Sequence, residues 1–252
     1  YNAGGGGVFG GGSDGDGDDN TLVGQQAGYA ITTGSDNTIA GSFAGDALTT
    51  GYSNVLIGKD AGTTLVGAAF NIAIGQDALR TEDASGGTVA IGHKTLEDQD
   101  VADAKNVAVG YNAAMNLTSG TDSVYMGFEA GGSGTITGDY NVVIGKEAAK
   151  ASTSFSHGVF IGANAGKLGD MTGAANIAIG SGAGIDLTSG YNNVLMGTDA
   201  GANATNAINN VVIGKGAADN AGATDYKQIV IVGSGACGAG ALANASSTQG
   251  MN

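Results

Sequence analysis

The amino-acid sequence predicts an all-β fold, a parallel β-solenoid of about 13 coils, and three observations carry that prediction. A glycine recurs at Gly24, Gly41, Gly58, Gly75, Gly92, Gly110, Gly127, Gly145, Gly162, Gly180, Gly197, Gly214 and Gly233, at intervals of 17 to 19 residues. Three residues of the Val-x-Ile type precede each of these glycines, a run too short for a helix and rich in β-branched side chains. An Asn opens that run in nine of the thirteen copies. A fixed self-similar period is the mark of a repeat architecture.

With the glycine as position 0, Asn stands at −4 (Asn20, Asn37, Asn54, Asn71, Asn106, Asn141, Asn176, Asn193, Asn210). Position −3 is Val or Ile except at Thr21 and Thr38, and −1 is Val, Ile or Met except at Ala40. Position +3 is Ala in every copy but one, where Thr95 stands. A glycine at every corner implies positive φ, or an approach too close for a Cβ. The return segment often reads Leu/Ile-Thr-Thr/Ser-Gly, as at 31–34, 48–51, 117–120 and 187–190, which predicts a second short strand and a second corner. Equivalent strands stacked at ~4.8 Å would make a rod about 60 Å long. Aligned Asn residues would form a ladder of side-chain amides.

Taken in order, residues 1–19 are a Gly/Asp-rich lead-in, 20–237 the solenoid and 238–252 a small-residue tail. Asp14, Asp16 and Asp18 alternate with glycines, as the oxygen donors of a calcium loop do, although no Glu completes an EF-hand. The simpler reading of that stretch is an acidic, solvated linker. Tyr1 in place of Met suggests a processed product or a fragment. Neither flank resembles a cap, so the expectation is either a longer fibre or rods joined end to end, with 1–12 bridging the junction.

Nine basic against 23 acidic residues give a net charge of −14, which disfavours nucleic acid as a partner. No apolar run is long enough to insert into a membrane. Acidity and regular coils suit an extracellular, cell-surface or virion location. The lone Cys237 provides no disulfide framework.

Position −2 holds no polar residue in any copy. If −3 and −1 fill the interior, −2 faces outward. Leu22, Ile39, Leu56, Tyr125, Val143, Phe160, Leu195, Val212 and Ile231, with alanines between them, are then an apolar stripe that other chains must cover. This reading assigns those residues to an oligomer interface.

Asn106-Val107-Ala108-Val109-Gly110-Tyr111-Asn112-Ala113-Ala114 through Leu117-Thr118-Ser119-Gly120 resembles the head repeats of YadA-type trimeric autotransporter adhesins. It resembles even more the repeats of bacteriophage tail fibres. The resemblance covers residues 20–237 and implies a left-handed β-roll, a homotrimer and a receptor that is a surface glycan or protein. The coils here are longer than those of the adhesin heads, and none of the 252 residues reads as a coiled-coil stalk, membrane anchor or self-cleaving chaperone segment.

No catalytic set emerges, and no cofactor is expected. Gly233-Ser234-Gly235-Ala236-Cys237-Gly238 fits G-x-G-x-x-G, but Gly233 is in phase with the other corners. His93 and His157 lie four coils apart, too far to share a metal within one chain. Three matches to glycosylation acceptors, at Asn116, Asn203 and Asn244, are expected by chance in an Asn/Thr-rich chain. Tyr29, Tyr52, Tyr111 and Tyr191 sit near corners, where they fit turn packing or a carbohydrate groove. The expectation is a non-enzymatic fibre or adhesin. Its rival is a phage-type spike that binds and cleaves polysaccharide, which would need carboxylates clustered on one face.

Overall fold

A computed structural model describes residues 19–81, 86–99, 101, 104–132, 134–219 and 226–238. The lead-in, including Asp14, Asp16 and Asp18, and the tail from 239 lie outside the described residues. The chain forms two compact units, Tyr1–Ser123 and Val124–Asn252. The first holds β1 (Thr21–Val23), β2 (Thr38–Ala40), β3 (Val55–Ile57), β4 (Ile72–Ile74), β5 (Val89–Ile91) and β6 (Val107–Val109). The second holds β7 (Val124–Met126), β8 (Val142–Ile144), β9 (Val159–Ile161), β10 (Ile177–Ile179), β11 (Val194–Met196), β12 (Val211–Ile213) and β13 (Val230–Val232).

Within each unit every strand pairs in parallel with the strand of the next coil, without a shift in register. Ile39 lies beside Leu56 and Leu56 beside Ala73, and in the second unit Ala178 lies beside Leu195. The fold is therefore the all-β parallel β-solenoid that the period predicts. The return segments depart from expectation. Among the described residues they carry only isolated bridge residues, at Leu117, Ile136, Tyr191, Ile208 and Lys227, rather than a second strand. The reason lies in the hydrogen bonds: the N–H groups of Thr32, Thr33 and Gly34 all converge on the carbonyl of Thr49. A ladder needs one partner per group.

The outward assignment of the −2 column is overturned. Ile39, Leu56, Tyr125, Val143, Phe160, Leu195 and Val212 are buried within the single chain, Ile231 is nearly so, and Leu22 in the first coil is half-buried. These side chains are core and cannot line an interface between chains. Conversely, every −3 and −1 residue is half-exposed or exposed. The buried Asn at −4 sets this parity: in a strand −4 and −2 share a face, so −3, −1 and +1 share the other.

The corner that follows each strand turns on positive φ. The thirteen corner glycines have φ between +130° and +155°, and positions +2 and +4 are left-handed in every coil, as at Asp60 (+57°) and Gly62 (+59°). The +3 N–H closes the turn on the glycine carbonyl, for example Ala148 N to Gly145 O at 3.3 Å. Small Ala at +3 tucks into the interior.

In several coils core volume is exchanged between −2 and +4, although Ala108 stands with Ala114 and Ala178 with Gly184. Where −2 is Leu22, Leu56, Tyr125 or Phe160, +4 is Gly28, Gly62, Gly131 or Gly166; where −2 is Ala73 or Ala90, +4 is Leu79 or Leu96. A Cβ on Gly131 would lie 2.8 Å from the Tyr125 ring, and one on Gly166 would lie 2.7 Å from the Phe160 ring. Interiors close-packed at crystal density leave room for one large side chain at such a place, not two. Where +7 shrinks to Gly134, Ser152 or Gly169, buried Ile136, Phe155 and Met171 from further along the return segment fill the space.

The Asn ladder forms. Asn193 Nδ2 donates to Asn176 Oδ1 (2.9 Å) and to the Ala207 carbonyl (2.6 Å), and Asn193 Oδ1 accepts from Asn210 N and Nδ2. Where Thr88 interrupts the column, buried Gln99 spans the gap, accepting from Asn106 Nδ2 at 2.8 Å and donating to Thr88 Oγ1 at 3.4 Å. Asn193→Ala is expected to cost about 2–4 kcal/mol, because it strands several buried partners at once. Exposed Thr172→Ala, at ordinary φ, should cost less than about 0.5 kcal/mol. Urea denaturation followed by circular dichroism compares them, and similar losses would argue against the ladder as a stabilising element.

Candidate functional site

The surface that stands out is the outer face of the strands. Positions −3, −1 and +1 alternate outward, which at ~3.3 Å per residue makes a face roughly 13 Å wide, bordered by the left-handed corner at −5. In the second unit all fourteen residues at −3 and −1 are apolar, from Val124 and Met126 to Val230 and Val232. Met126, Met196, Ile213, Val230 and Val232 are the most exposed of them. In β7–β13 none of these three columns holds a carboxylate, whereas Lys146 and Lys215 both stand at +1. That absence is notable in a chain of net charge −14. At the bordering −5 corner the first unit carries Asp19, Asp36 and Asp122, and within its face Thr21 and Thr38 begin the −3 column.

Seven coils at ~4.8 Å give the second unit's face an area of roughly 450 Å². A standard protein interface takes about 800 Å² from each partner, with charged residues depleted at its centre.

Several carboxylates at corners behind this face are held by cations. Lys150 bridges Glu129 (2.5 Å) and Glu147 (3.2 Å), and Lys167 holds Glu147 at 2.6 Å. Hydrogen bonds from Lys167 and Lys150 pull the Glu147 carboxyl down to about 2. Nearly buried Glu97 is held by Arg80 and Lys94. Asp46 is pushed up by burial, with the charge of Asp60 adding to the effect. Among the described residues no cluster of His, Cys, Asp and Glu could hold a metal ion.

No protein-family model, curated protein or solved structure matches the chain. Its chemistry is therefore read from its own residues.

His93 stacks on Tyr111 at 5.0 Å and 9°, and Lys146 lies 6.0 Å from the Phe128 ring centre. These four are +1 residues, on the edge of the outer face. His157 lies against Tyr140, a contact between −5 residues. The four tyrosines singled out in the sequence are all exposed. Gly233 turns like the other corners, at φ +135°, and a turn, not a helix, follows β13, so the glycine-rich match has no dinucleotide geometry. Cys237 is a half-buried free thiol at +4. The sequence reading missed the −3 and −1 columns as the surface, although the buried-type Asn at −4 carried the parity.

Proposed function

We propose that the chain is a non-enzymatic fibre or adhesin module that assembles as a homotrimer and serves surface attachment outside a cell or on a virion. The observation that carries this reading is the apolar, carboxylate-free outer face of β7–β13 on an otherwise acidic chain. Copies of a chain with carboxylates on that face would repel one another, and an apolar face of this size is ordinarily covered. The trimer order comes from the resemblance of the repeats to trimeric adhesin heads and tail fibres. Stacked coils held by main-chain bonds along their whole length suit an exposed attachment device, and coils at the ends could join copies into filaments.

Light scattering on the purified chain should give three times its 24.2 kDa mass. Ile144→Asp with Ile179→Asp, on the outer face, should yield folded monomers, because a charge buried without a partner at the interface is costly. Leu195→Asp, in the core, should unfold its unit instead. A wild-type monomer at micromolar concentration would remove the proposal.

A further inference from the structure

The −5 corner carries bulky residues where the backbone least favours them. Its φ lies between +49° and +77° in all thirteen coils. Asp, Asn and Gly accept that conformation most readily, and they or Ser fill much of the column. Phe70 (φ +62°) and Tyr140 (φ +59°) do not belong to that group. Nor do their rings gain burial in return, since Phe70 is 59% exposed and Tyr140 55%. A conformational cost with no folding benefit points to a use in binding.

Each ring belongs to a pair, and each pair opens onto a bare rung. Tyr52 and Phe70 meet edge to face at 5.0 Å, and the next coil presents Gly86-Gly87. Tyr140 and His157 meet at 5.2 Å, and the next coil presents exposed Ala174-Ala175. A polar side chain follows one rung beyond, Lys105 in the first unit and Asn192 beside exposed Tyr191 in the second. Two rungs span about 9.6 Å, enough for one ring in van der Waals contact on both sides.

We propose that these two gaps, beyond Phe70 and beyond His157, each bind a neutral pyranose unit of a surface glycan. A pyranose has an apolar C–H face to lay on an aromatic ring and a rim of hydroxyls for Lys105 or Asn192. A polyanionic sugar is disfavoured, because Asp36 and Asp122 share the −5 column with Phe70, and Asp139 adjoins Tyr140. The inference rests on the surface-attachment reading and gives it a ligand class and a place.

The test uses the full chain with chitohexaose, maltoheptaose and yeast mannan as probes and heparin as the anionic control, read by biolayer interferometry. One variant fills both gaps, Gly87→Asn with Ala175→Asn. A Cβ at Gly87 would meet only the Lys105 Cγ, at 3.8 Å, and Asn is among the side chains that its φ of +77° admits most readily. The other removes two rings, Phe70→Asn with Tyr140→Asn, and suits left-handed φ better than the wild type. The wild type is expected to bind at least one neutral probe, and each double variant to weaken that binding by at least about tenfold, with thermal midpoints no lower. No binding to any neutral probe, preference for heparin, or affinity unchanged in both variants would overturn the slots. Light scattering on the same samples reads assembly separately: a trimer lacking these slots leaves the fibre reading standing, and a wild-type monomer removes that reading whatever the probes do.

Discussion

Gly75→Ala is expected to unfold the first unit at a temperature more than about 10 °C below the wild type, a loss of roughly 3–5 kcal/mol. Gly75 has φ +135°, which side chains other than hydrogen rarely allow, and its Cβ would lie 2.3 Å from the Gly92 carbonyl oxygen and 2.5 Å from its carbon. Both obstacles are backbone, so no rotamer change relieves them. The coils would have to part, at the expense of the 2.7 Å bond from Gly92 N to Ile74 O. The control is Gly67→Ala, at ordinary φ with only the Thr50 Oγ1 nearby at 3.3 Å. It should change stability by less than about 0.5 kcal/mol. Melting followed by circular dichroism reads both, and equal midpoints would show that the corner does not require glycine.

The corner was legible in the sequence because one cause, a backbone without room for Cβ, acts identically in every coil. The Asn ladder was legible for the same reason. The facing of the strand was not, because −3, −2 and −1 are apolar together and alternation, the usual guide, is missing. Two clues lay in the sequence. Asn20, Asn37 and their equivalents stay polar, so a stacked and buried amide column had to share the face of −2. In several coils −2 and +4 also trade size, Tyr125 against Gly131 and Ala73 against Leu79. Only residues that touch across a closed interior trade volume in that way. On the outer face Val and Ile repeat with little change, as suits a pleated, half-buried surface where β-branched neighbours stack. The irregular coils around Ile136, Phe155 and Met171 could not be read from the period, since the residues that fill their cores had moved along the return segment.

The trade between −2 and +4 predicts a large non-additive effect in coil 4. Ala73 and Leu79 are both fully buried, and by equivalence with the other coils the Leu79 side chain occupies the space beside Ala73 and Ala90. Leu79→Gly should cost about 2–4 kcal/mol through the cavity it leaves, offset in part because glycine relaxes at φ +51°. Ala73→Leu should cost about 1–3 kcal/mol through overpacking against Leu79. The double variant recreates the arrangement of the preceding coil, where Leu56 lies within 2.9 Å of the place a Cβ on Gly62 would take. It should return to within about 1 kcal/mol of the wild type, so the coupling between the two changes is at least about 2 kcal/mol. Urea titrations of the four proteins close the cycle. Additive losses would mean that the two columns do not share one volume, and that the inverse pattern along the chain has another origin.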